Sequence, residues 1–381
     1  MQRFRLFIIT LAHFCVDSYA TILQPVLPLI KKRLELSFAQ TGTIGTVIAI
    51  CNITQPLMGI WADRMSRRYL IIVGLALSAI CIPFIGIAPT YESLIFVLAL
   101  GGIGVAAFHP QVFSLAGELS GKQRSFGLAL FIFGGTLGIG LTPFWVPWFI
   151  ETFTQSRLPY IAIPGIILLL LVLKFVPLKN PQLEDGEKPT FAALKPQAKN
   201  LTLICVVVVI RSVTGLAFFT YIPLLAEERG HGLIAGGIFL GIFNVAGVIG
   251  SLFFGYLADK KFGSKGIVFL TILGSVPFLY LYTLTENVSY SYVLLAIGGG
   301  LLLASNSIFV ALAQELAPEN TGLASSIPLG LSWGLASLSL PLIGMLGDNI
   351  GIEQALRYIA LLPIVPAILS LALPRLKKSG E

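Results

Sequence analysis

Residues 201–226 read LTLICVVVVIRSVTGLAFFTYIPLLA, a run in which Arg211 is the single charge. A bilayer core about 30 Å thick is crossed by roughly 20 helical residues at about 1.5 Å each, so a run this long and this apolar is a membrane-crossing helix. It lacks the period-two alternation of a barrel strand. Working outward, runs of the same kind fall near 6–30, 40–62, 70–88, 93–118, 126–150 and 159–177 before it, and near 232–258, 266–284, 289–314, 322–347 and 353–373 after it. Of the 381 residues, 56% are hydrophobic and 11% charged, against roughly 25% charge in soluble domains. Twelve crossings need about 240 residues, which leaves no room for a large soluble domain. The expected fold class is an all-α membrane protein of twelve transmembrane helices in two six-helix halves.

The first run exceeds a signal-peptide core, contains Asp17 and has no small-residue cleavage site, so it is expected to remain as helix 1. Cys15, Cys51, Cys81 and Cys205 all lie inside apolar runs without metal-type spacing. No metal and no cofactor are expected. Residues 178–200 break the apolar pattern with charges and prolines, among them Lys179, Glu184, Asp185, Pro189 and Lys199. The expected division is therefore a half over 1–177, a cytoplasmic linker over 178–200 and a second half over 201–381.

Positive loops stay in the cytoplasm. With the N-terminus inside, eighteen of the 25 lysines and arginines fall on the cytoplasmic side, six fall outside, and Arg211 lies within a span. Both termini are therefore expected in the cytoplasm, with the chain in the plasma membrane, the inner membrane of a bacterium. The net charge of +7 follows from this asymmetry, so no nucleic-acid partner is needed to explain it. Lipid bilayer, protons and a small molecule are the expected partners of a chain that acts as a monomer.

Shifted by 196 residues, the sequence lays Gly45 on Gly241, Gly59 on Gly255, Ala62 on Ala258 and Asp63 on Asp259; further on, Gly102 meets Gly298 and Gly104 meets Gly300. The halves read as duplicates. Duplicated halves with a site between them near the midplane are a transporter architecture, because rocking one half against the other exposes that site alternately.

Between the second and third spans stands Gly59-Ile60-Trp61-Ala62-Asp63-Arg64-Met65-Ser66-Arg67-Arg68, echoed by Gly255-Tyr256-Leu257-Ala258-Asp259-Lys260-Lys261. This stretch resembles the loop signature of the major facilitator superfamily, with Ser66 where the family usually has glycine. The resemblance covers the whole chain. It implies a conformational latch made by Gly59, Asp63, Arg64, Arg67, Arg68 and Asp259, in which Gly59 lets helices approach and Asp63 accepts from a helix N-terminus. His13-Phe14-Cys15-Val16-Asp17 and Phe108-His109-Pro110 look like the fosmidomycin-resistance branch, whose members are proton-driven exporters. Gly134-Gly135-Thr136-Leu137-Gly138 followed by Pro143 is similar to the glycine-proline pattern of family antiporters, and it equally suits close helix packing.

Ionisable residues that interrupt apolar runs carry the strongest chemical signal. His13 lies roughly 12 Å and Asp17 roughly 18 Å along the first helix, Arg211 about 15 Å along the seventh, and His109 about 13 Å from the inner end of the fourth. A charge at that depth costs at least roughly 3 kcal/mol on insertion scales, so a shared watery cavity is expected. By the family's architecture helices 1, 4, 7 and 10 line it. Asp17, assisted by His13, is the expected proton-binding group, since a protonated carboxyl crosses without charge. Arg211 is the expected counter-charge, pairing with Asp17 in one state and holding an anionic substrate group in another. His109, Gln24, Gln55, Phe218, Tyr221 and Asn306 complete the expected substrate lining, with Arg211, Thr214, Phe218 and Tyr221 on one face of helix 7.

The expectation is a secondary active transporter that exports small amphipathic or anionic molecules by proton antiport; the alternative is a proton-coupled uptake symporter for an organic anion or metabolite. An enzyme is not expected. No His-Glu-x-x-His motif is present, and Gly330-Leu331-Ser332-Trp333-Gly334 lies inside an apolar span and not at a strand-to-helix turn.

Overall fold

The computed structural model describes residues 1–62, 68–179, 191–258 and 263–374. Among them, twelve helices are long and apolar enough to cross a membrane. They are α1 (Arg3–Arg33), α2 (Phe38–Trp61), α3 (Tyr69–Gly86), α4 (Tyr91–Gln123), α5 (Phe126–Phe153) and α6 (Gln155–Phe175), then α7 (Leu194–Glu228), α8 (Gly232–Leu257), α9 (Ser264–Tyr282), α10 (Val288–Leu316), α11 (Thr321–Ile350) and α12 (Ile352–Ser370). No strand is found among the described residues. Residues 180–190 of the expected linker lie outside them.

Prolines set most of the interruptions. A proline ring excludes the carbonyl four residues back. Pro25 acts on Thr21, and α1 breaks into Arg3–Ala20 and Leu23–Arg33 there. The Thr21 hydroxyl repairs the gap by donating to the Asp17 and Ser18 carbonyls at 2.9 and 3.1 Å. Pro56 acts on Asn52, where α2 tightens into the 3₁₀ turn Asn52–Thr54. Pro328 lies in a π turn of α11, Ile327–Leu331, where the Ser332 hydroxyl donates to the Ile327 carbonyl at 2.7 Å. The break of α10 between Leu303 and Asn306 contains no proline. There the Leu302 carbonyl accepts from Arg211 Nη1 at 3.3 Å, a side chain entering the helix ladder.

The chain divides into two units: Met1–Glu35 with Val47–Lys188, and Leu36–Thr46 with Pro189–Glu381. In the first, α3 and α4 meet at Gly74 and Gly104, where a Cβ on either would come within 2.8 Å of the other's carbonyl oxygen. The side chain of Arg68 is wholly buried and pairs with Glu118. Its Nη1 also donates to the Pro177 and Lys179 carbonyls at 3.4 Å, so it ties α3 to the ends of α4 and α6.

In the second unit most of α7 from Arg211 to Ala226 is buried. The Thr214 hydroxyl donates to the Ile359 carbonyl of α12 at 3.1 Å, Phe218 stacks on Phe243 of α8 with ring centroids 6.3 Å apart, and the Tyr221 hydroxyl donates to the Leu340 carbonyl of α11 at 2.7 Å. Side chains expected on one lining face thus meet different helices. The first part of α2, through Thr46, also belongs to this unit. Its first turn is capped by Asp348 of α11, whose carboxylate accepts from the Phe38 and Ala39 amides at 2.7 and 3.0 Å.

Each unit carries the same arginine clamp. Arg33 at the end of α1 donates to the carbonyls of Gly86, Ile85 (3.0 Å) and Ala88 (3.1 Å). Arg229 just past α7 donates to those of Tyr282 (3.2 Å), Thr283 (2.9 Å) and Thr285 (2.8 Å). The arginines are 196 apart in sequence, while their loop partners are 197 apart. The α4 and α10 glycines follow the loops: a Cβ on Gly101 would strike Ile82 of α3, and one on Gly298 would strike Leu279 of α9. Gly298 therefore matches Gly101 and not Gly102, because one residue has entered the register between the clamp arginines and these helices.

Candidate functional site

His13 and Asp17 are four residues apart on α1, which places them on one helix face. His13 Nε2 stands 3.2 Å from Asp17 Oδ2, and His109 Nε2 of α4 stands 3.2 Å from Asp17 Oδ1. Each carboxylate oxygen thus has its own imidazole. Both rings are held from behind: His13 Nδ1 donates to the Phe131 carbonyl of α5 at 2.9 Å, and His109 Nδ1 donates to the Val105 carbonyl at 2.7 Å. His13 also stacks on Phe131, with centroids 4.2 Å apart, and meets Phe113 edge-on.

α5 reaches the cluster because it has glycine there. A Cβ on Gly135 would lie 2.5 Å from both Asp17 Oδ2 and His13 Nε2. Gly134 and Gly138 pack α5 on α1 while Gly135 seats this cluster, which leaves Asp17 8% exposed. The three donor atoms lie within 4.8 Å of one another, a set of the type that metal ions use, but each nitrogen–oxygen pair is already at hydrogen-bond separation. Among the described residues the partners of the Asp17 carboxylate are the two histidines of its own unit.

Arg211 is fully buried in the second unit. Its Nη1 donates to the Leu302 carbonyl and its Nη2 to the Ser212 hydroxyl at 3.0 Å. Both acceptors are neutral, and Nε has no partner among the described residues. A buried guanidinium so placed keeps capacity for an anion. Two groups that the sequence reading did not assign to a site are also unsatisfied and buried: Asn244 Nδ2 and Ser305 Oγ. Leu303 links their surroundings, because Gly215 of α7 and Gly247 of α8 both face its side chain. Arg211 and Asn244 each lie about one turn from those glycines, and Ser305 sits in the break of α10 itself.

The remaining expected residues are placed as follows. Gln24 is buried beyond the break of α1, its Oε1 without a partner among the described residues. Gln55 Nε2 donates to Asn52 Oδ1 at 3.0 Å on its own helix. Phe218 and Tyr221 are wholly buried against α8 and α11. Asn306 opens the second segment of α10, half-buried. Of the latch, Asp63, Arg64, Arg67 and Asp259 lie outside the described residues. A Cβ on Gly59 would meet Pro110 at an ordinary 3.7 Å. Arg68 is the buried tie to Glu118. Sequence reasoning missed the clamps of Arg33 and Arg229, although the 196-residue shift pairs them directly.

Comparison with known proteins matches residues 9–341 to the Major Facilitator Superfamily. The chain is 23% identical over 374 residues to the fosmidomycin resistance protein of Escherichia coli (strain K12), covering 96% of this chain and 91% of that one. It is 25% identical over 343 residues to multidrug resistance protein 1 of Bacillus subtilis (strain 168), covering 86% and 83%. Among solved structures, a bacterial homolog of the human lysosomal transporter Spinster superposes with a TM-score of 0.83 at 16% identity, over 97% of this chain and 96% of that one. A D-xylose-proton symporter superposes with a TM-score of 0.78 at 14% identity, over 97% of each chain.

Proposed function

Because this chain belongs to the major facilitator superfamily, and is therefore a multi-pass membrane transporter and not an enzyme, we propose that it exports small amphipathic or anionic molecules in exchange for protons, by alternating access. The observation that carries this reading is the Asp17 carboxylate seated between His13 and His109. There a carboxylate can share protons with two imidazoles whose ring orientations are already set from behind.

The anionic part of the substrate class rests on Arg211, a permanent cation whose two acceptors are neutral. Asn244 and Ser305 add unsatisfied polar groups to the same neighbourhood. Export as the direction is supported by the relative named for fosmidomycin resistance and by the one named for multidrug resistance. The proposed setting is the bacterial inner membrane with both termini in the cytoplasm, and a monomer suffices because a two-half transporter forms its own pathway.

Everted vesicles test the proposal with a panel of phosphonates, siderophore-like acids and lipophilic cations. With the vesicle interior acidified, an exporter accumulates its substrate inside, and Asp17→Asn abolishes the response. Accumulation only under the opposite gradient makes the protein a symporter. Gradient-driven flux that survives in Asp17→Asn removes the carboxylate from the mechanism.

A further inference from the structure

We propose that the closed Asp17–His13–His109 cluster holds two protons, that His109 carries the second, and that two protons therefore move in each cycle; this rests on the proton-coupled reading above. The inference comes from counting hydrogens. A backbone carbonyl only accepts, so Nδ1 of His13, at 2.9 Å from the Phe131 oxygen, and Nδ1 of His109, at 2.7 Å from the Val105 oxygen, must each bear a hydrogen. Each Nε2 then faces a carboxylate oxygen at 3.2 Å. Without a proton in the gap, a nitrogen lone pair opposes an anionic oxygen.

Two gaps require two protons. Both can sit on nitrogen, giving two imidazoliums and a carboxylate, or one can sit on nitrogen and one on oxygen. The net charge of the cluster is +1 in either arrangement, and −1 when both have left. The doubly deprotonated cluster cannot keep two repulsive contacts at hydrogen-bond distance, so opening of the cluster and loss of both protons are one event. A lone carboxylate would carry one proton.

Neighbouring groups do not supply the hydrogens. The walls are Phe108 and Phe113 of α4 and Phe131 of α5, none of which titrates. On α1, Cys15 is buried, and Tyr19 turns to α6, where its hydroxyl donates to the Ile161 carbonyl at 2.8 Å. Among the residues of α3, Tyr69 and Cys81 are the titratable ones.

The chain has 3 histidines, which makes the count measurable without a substrate and without altering the cluster. Full-length His231→Gln protein, labelled with ¹⁵N-histidine in detergent micelles, leaves the two cluster rings in the spectrum; His109→Gln then distinguishes them. The buffer contains chelator, so that no metal competes with protons. The expected result is that the Nε2 signals of both rings change from protonated to bare together as pH rises, with potentiometric titration giving two protons per chain over that interval. In Asp17→Asn the rings titrate separately.

A His109 ring whose Nε2 stays bare while His13 titrates, or a total of one proton, overturns the inference. Such an outcome alongside gradient-driven flux that Asp17→Asn abolishes would leave the proposed function standing. Two protons found in a protein that shows no proton-driven flux would do the reverse.

Discussion

Replacing Gly135 by alanine places a methyl group 2.5 Å from Asp17 Oδ2 and from His13 Nε2, where ordinary contact begins at 3.4 Å. Either α5 retreats or the two polar atoms part by about 1 Å, which carries a 3.2 Å contact past hydrogen-bonding range. Loss of one charge-assisted hydrogen bond is worth about 1.5–3 kcal/mol, or roughly a 10- to 100-fold loss of proton-driven flux. The neighbouring substitution supplies the control. A Cβ on Gly134 would lie 2.5 Å from Thr10 Cγ2 and 3.0 Å from the Thr10 carbonyl oxygen, so Gly134→Ala overpacks the same helix pair, at about 1–3 kcal/mol, without touching the cluster. Both variants should melt at lower temperature in detergent. Flux into acidified everted vesicles, corrected for folded transporter by size-exclusion chromatography, should fall steeply in Gly135→Ala and stay near wild type per folded molecule in Gly134→Ala. Equal flux in the two variants would refute the reasoning, since the glycines would then matter only for packing.

Asp348→Ala removes the acceptor from two amides at the start of α2 and should cost about 0.5–2 kcal/mol, read as a lower melting temperature; Asp348→Asn, whose amide oxygen caps comparably, should recover most of it. Arg229 spreads its nitrogens over three carbonyls and also pairs with Glu353 at 3.2 Å. Arg229→Lys should therefore destabilise by about 1.5–3 kcal/mol, since an ammonium cannot reproduce that fan; a Lys variant that melts with wild type would show that the clamp is dispensable.

Much of the site was legible because some of its distances are local. Asp17 and His13 share α1, and a spacing of four on a helix means contact whatever surrounds it. His109 was legible only as a depth. Depth is one coordinate of three, and the residue was assigned to substrate lining before the packing of α4 on α1 brought its Nε2 to Asp17. The neighbours of the stripe on α7 were hidden for a related reason. A spacing of three and four identifies a stripe, but a buried helix offers every stripe to some neighbour, so Phe218 and Tyr221 went to α8 and α11.

Hydrophobic run length alone determined that the chain crosses the membrane twelve times, since the bilayer sets one length for every crossing, and proline positions carried most of the breaks, since the clash is with a carbonyl four residues away in the same strand of chain. Only the tertiary structure decided what the buried polar groups do. Which histidine meets which oxygen of Asp17, which carbonyls take Arg211, and why Gly135 must lack a side chain all depend on separations between helices. Those separations come from how side chains of distant spans interlock, and no spacing along one span records them.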